Sequence, residues 1–168
     1  MFWGIILVVF LQNSVTPEEA IQSTWISLRD ASPDAFLSTL TPACSDNILL
    51  LCSQSLDTMR TLSNEELGEL FASLRLEAAP DEIYIWDSMA VLEMLISSPG
   101  HNHVVVNSTM LIDSILTADS AATAFVTITT PGYEPLCIRL KLSASPAGWS
   151  TGGLESITKT ILSNTTGL

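Results

Sequence analysis

Chemistry in this chain would have to start from a few isolated groups. Asp113 interrupts the apolar stretch "MLIDSILT" at 110–117 and is the one acid inside the segment 103–116, which reads as a strand. A carboxylate enclosed in an apolar pocket loses hydration and can serve as a general acid or base. Strand alternation puts Ser108, Met110, Ile112, Ser114 and Leu116 on one face and Thr109, Leu111, Asp113 and Ile115 on the other. Both faces carry apolar residues, so alternation alone leaves the buried face open. The expectation is that Asp113 faces solvent, where it lacks the desolvation that catalysis needs. His101 and His103 stand two apart in "PGHNH". On an extended segment they would share a side and could share a metal. No Cys or acid adjoins them, and the stretch reads as a loop, so no metal site is assigned. Arg139 and Lys141 share a strand face. They are expected to meet acids on a neighbouring strand, with an anionic ligand as the other reading.

The remaining chemistry is sparse. There is no GxSxG, no Walker loop, no HExxH and no Gly-rich dinucleotide fingerprint, so no cofactor is assigned. Cys44, Cys52 and Cys137 allow at most one bridge. All three have apolar or small neighbours and read as buried free thiols. Asn107-Ser108-Thr109 and Asn164-Thr165-Thr166 match glycosylation triplets, which matter only in a eukaryotic secretory route. Six bases against eighteen acids give a net charge of −12. That charge repels phosphate backbones, which sets nucleic acid aside and leaves a cationic ligand or basic partner as the sharper reading.

The elements that must position these groups begin after a leader. Residues 2–11, "FWGIILVVFL", are apolar without a break, which is too short for an ordinary membrane span and fits a secretory signal or an uncleaved anchor. Residues 1–15 are therefore expected to lie outside the core, and the protein to act outside the cytoplasm. Residues 16–168 read as one domain. Thr16-Pro17-Glu18-Glu19 and Ser63-Asn64-Glu65-Glu66 are capping boxes, each followed by apolar residues at helical spacing. A short helix follows Ser32-Pro33, another covers 46–59, and residues 82–97 read as one largely buried helix. After Gly100 the period changes to two. Strands are expected over 103–116, 121–130, 135–143 and 149–157, with turns at "ADS", "PGYE" and "SPAG". Gly152 and Gly153 read as a bulge in the last strand. The fold class is α+β, with N-terminal helices packed on an antiparallel sheet.

Two stretches carry a resemblance. "TPEEAIQSTWISLRDASPDAFLSTLTP" (16–42) resembles the opening of bacterial proteins of the nuclear transport factor 2-like (SnoaL-like) superfamily, with its Pro-Glu-Glu helix start and second short helix. The tail "ADSAATAFVTITTPGYEPLCIRLKLSASPAGWSTGGLESI" (118–157) is similar to their last three strands, with Trp149 at the Trp that opens the final one. The likeness covers about 150 residues in spacing and turn placement. It implies a strongly curved sheet wrapped around helices, a cone with a pocket at its open end. Trp25, Tyr84, Trp86, Phe125 and Trp149 are then the aromatic candidates for lining that pocket, and Trp149 is expected to be mostly buried. The superfamily holds enzymes beside binding modules, so fold does not give function. The leading reading is a non-catalytic domain that binds a small apolar ligand or a protein partner. A small lyase or isomerase with Asp113 as base is the alternative, and a homodimer formed through the sheet face is the third.

Overall fold

The computed structural model describes residues 15–166, and the apolar run at 2–11 lies outside them. The fold is α+β, as composition and periodicity require. Helices α1 (Pro17–Arg29), α2 (Pro33–Ser38), α3 (Pro42–Met59) and α4 (Asn64–Leu74) come first. A 3-10 turn (Pro80–Tyr84), α5 (Ser88–Ser97) and α6 (Pro99–Val106) follow, then strands β1 (Thr109–Ala118), β2 (Ala121–Thr129), β3 (Leu136–Ser145) and β4 (Gly148–Gly152), and finally α7 (Glu155–Thr166). The strands form one open antiparallel meander in the order β1-β2-β3-β4.

Local chemistry sets the helix starts. Thr16 accepts the Glu19 N–H at 3.2 Å while the Glu19 carboxylate accepts the Thr16 N–H at 2.7 Å, and Ser63 and Glu66 repeat the arrangement. The hydrogen bonds from Ser63 hold the Glu66 carboxyl below its ordinary range. Asp87 caps α5 by accepting the Ala90 N–H at 2.9 Å. That cap breaks the helix expected over 82–97. Tyr84 is 59% exposed and Ile85 83% exposed on the 3-10 side of the break. Arg60 holds the turn in place by donating to the carbonyls of Ile83 at 3.4 Å and Trp86 at 2.9 Å.

Two further expectations are corrected. "PGHNHVVV" is α6, with Pro99 at its first turn, so β1 begins at Thr109 and not at residue 103. The extended segment on which a shared histidine site would have rested is a helix instead. The last strand stops at Gly152. Gly153 takes φ +80°, which reverses the chain into α7.

The core has two parts. Residues of α2, α3, α4, α5, α7 and the 3-10 turn bury one another around Ile48, Cys52, Met59, Leu67 and Phe71. The second part is α1 against the sheet: Ala20 and Ile21 pack on Ala122, Ala124, Val126, Leu140 and Leu142. Val15 also packs there. Leu154 touches both parts. They are also tied by a polar knot, in which the Thr24 hydroxyl lies 3.0 Å from the hydroxyls of both Thr39 and Thr151. The backbone of 39–41 runs beside β4, with Thr41 N–H donating to the Thr151 carbonyl at 2.8 Å and Thr151 N–H to the Thr39 carbonyl at 3.0 Å. That edge of the sheet is covered. Among the described residues, no backbone hydrogen bond reaches β1 from its outer side.

Candidate functional site

The open edge of β1 and the side of α1 that runs past it enclose a cleft of about 600 Å³. From α1 come Glu18, Gln22, Trp25 and Ile26, spaced four, three and one along the chain, which makes a single stripe on the helix. From β1 come residues 110–115. Met110, Ile112 and Ile115 are half-buried, whereas Leu111, Asp113 and Ser114 are exposed.

This pattern breaks strict alternation, and the reason is a β-bulge. Ile112 pairs with Val126 and Ser114 with Phe125, which leaves Asp113 as the extra residue. The bulge flips the phase of the strand, so Ile115 joins Met110 and Ile112 on the inner side instead of sharing a face with Asp113 and Leu111. Asp113 sits in the open, where its carboxylate accepts the Thr127 hydroxyl at 2.7 Å. Its surroundings hold no apolar enclosure of the kind that prepares a carboxyl for proton transfer.

The five aromatic candidates do not come together. Trp25 borders the cleft and also a smaller space of about 100 Å³ between α1 and the inner sheet face, and Met110 borders both as well. Trp86 stacks on Phe71 with ring centroids 5.3 Å apart, so it belongs to the helical core. Tyr84 is exposed beside it in sequence. Phe125 points out from the far side of the sheet, 41% exposed. Trp149 packs on the sheet core and is largely covered, as expected, though short of full burial because β4 is short and its indole lies near the turn at Pro146–Ala147. The cleft therefore unites one aromatic candidate, Trp25, with Asp113. Sequence reasoning missed Glu18, Gln22 and Ile26, though their stripe with Trp25 was there to be read.

A second space of about 290 Å³ lies among α1, α2, α5, α6 and α7. Its walls are apolar, including Leu28, Phe36, Leu95 and Ile161, and its one hydroxyl, on Thr158, already donates to the Leu154 carbonyl at 3.0 Å. Nothing there can orient a polar group. Cys44 and Cys52 are buried, and burial pushes both thiols up, Cys52 to about 12. Both are poor nucleophiles. Cys137, expected in the interior, is exposed on β3 because it lies on the outer sheet face with Arg139 and Lys141. Among the described residues, no three His, Cys, Asp or Glu side chains gather to hold a metal ion, and no helix is long and apolar enough to cross a membrane. Comparison with family models, curated proteins and solved structures finds no match for this chain.

Proposed function

We propose that this chain is a non-catalytic binding domain, and that the cleft between α1 and β1 takes an amphipathic ligand with a cationic head. The observation that carries the reading is the lining of that cleft. Trp25, Ile26, Met110, Ile112 and Ile115 offer an apolar wall, and Glu18 and Asp113 stand at its border. A concavity that joins an apolar wall to polar groups in nearly equal measure suits an amphipathic molecule better than a wholly apolar one. An indole beside two carboxylates suits a cation, and the net charge of −12 draws one in. The solvent-exposed setting of Asp113 supports binding over the lyase or isomerase reading. The resemblance to the nuclear transport factor 2-like superfamily is part of this proposal, supported by helices packed on an open antiparallel sheet.

Calorimetric titration with octyltrimethylammonium and with octanoate tests it. The cationic probe should bind and the anionic one should not, and Trp25→Ala should abolish the heat. Equal binding of both probes, or binding that survives Trp25→Ala, would overturn the assignment.

A further inference from the structure

Among the described residues, no element covers the outer face of the sheet, and its charge runs against that of the chain. Two cross-strand rows define it: Ser114–Phe125–Arg139 and Leu116–Thr123–Lys141. Arg139 and Lys141 are two of only six bases in a chain of net charge −12. They stand on one face of β3 about 7 Å apart along the strand. Neither forms an ion pair among the described residues. The expected acids on a neighbouring strand are absent: the strands' outer face offers one carboxylate, Asp113, and Thr127 holds it. Around the bases lie Leu111 and Leu116, each 64% exposed, and Phe125. Two uncompensated cations amid exposed apolar side chains form a patch with a preferred partner.

We infer that this face docks an acidic protein surface in which carboxylates alternate with apolar side chains. Charge complementarity chooses that occupant over a second copy. Pairing two copies of the face would bring together four bases and two carboxylates, counting Arg139, Lys141 and Asp113 once per copy, and like charges brought together disfavour the contact. The face adjoins the cleft along β1, where Leu111, Asp113 and Ser114 border both, but its bases lie on β3, away from the cleft's acidic border.

The test uses the full chain and two synthetic peptides, one alternating Glu with Leu and one alternating Lys with Leu. Amide NMR shifts should map the Glu–Leu peptide to the outer faces of β1, β2 and β3. The charge reversal Arg139→Glu with Lys141→Glu should weaken that binding by about 10-fold or more and let the Lys–Leu peptide bind instead. Both side chains are exposed, so the circular dichroism spectrum should not change. Binding unaffected by the reversal, or shifts confined to the helices, would overturn the inference. So would a dimer in sedimentation that the reversal dissociates, or binding to phosphatidylglycerol vesicles with none to the Glu–Leu peptide.

Discussion

Thr24 on α1 and Thr151 on β4 meet through their hydroxyl oxygens, 3.0 Å apart, across 127 positions of chain. Both are buried. Thr24 also lies 2.9 Å from the Ala20 carbonyl oxygen. Replacing Thr24 with Val removes the side-chain partner of a fully buried hydroxyl on Thr151. A buried polar group left unpaired costs about 1–3 kcal/mol. The double variant Thr24→Val, Thr151→Val removes both partners, so its cost should fall about 1 kcal/mol short of the sum of the singles. Urea unfolding of the four proteins measures the coupling, and strict additivity would dissolve the knot.

Trp149 tests how much the rim of the sheet core contributes to stability. A fully enclosed Trp costs about 3–5 kcal/mol on truncation to Ala. Here the side chain is largely but not fully covered, so Trp149→Ala should cost about 2–4 kcal/mol. The shift in the urea midpoint reads this directly, and no shift at all would remove Trp149 from the core.

What was legible in the sequence was what short-range chemistry controls. The two capping boxes, the α+β class and the positions of the hairpin turns could all be read from neighbouring residues. The failures have a common physical form. At 99–106 three consecutive valines signalled a strand, yet Pro99 at the first turn started a helix that lies against α5 with two of its valines exposed. At 153–162 the glycine pair drew attention away from Leu154, Ile157, Ile161 and Leu162, whose spacing is helical. The bulge at Asp113 left no local mark, because it arises from the register with β2. The site was the least legible part. Aromatic candidates were selected by type, whereas membership of a cleft depends on which sheet face and which helix side each one occupies.

Cys52 makes stability depend on pH in the alkaline range. Its folded value of about 12 lies above the ordinary 9.0. The unfolded chain therefore releases this proton first, and stability present below pH 9 drains away as pH rises toward 12. The slope inside that window approaches about 1.4 kcal/mol per pH unit. Unfolding at neutral pH and near the top of the window should show it, and Cys52→Ala should flatten it. In the same protein a thiol reagent should label Cys137 at once and the other two cysteines only after denaturant is added.

Asp113 should matter more for solubility than for stability. It bulges from an edge strand with no backbone partner on its outer side among the described residues, and bulges and charges on such edges discourage strand-to-strand association. Asp113→Val should leave the unfolding free energy within about 0.5 kcal/mol of unchanged, as exposed substitutions do. Light scattering at high concentration should nonetheless rise. A variant that stays as monodisperse as the parent would deny the carboxylate that role.

The division of the core into two parts has a consequence for how the chain comes into being. Residues 33–106 hold most of the helical cluster and can close on themselves as they emerge. Ala20 and Ile21, made earlier, face strands that begin a hundred residues later. At synthesis rates of about 5–20 residues per second, the inner side of α1 waits roughly 5–20 s for its sheet. The first helix of the domain is thus among the last to find its place, and a ribosome stalled before β2 would present it uncovered to whatever binds apolar helices nearby.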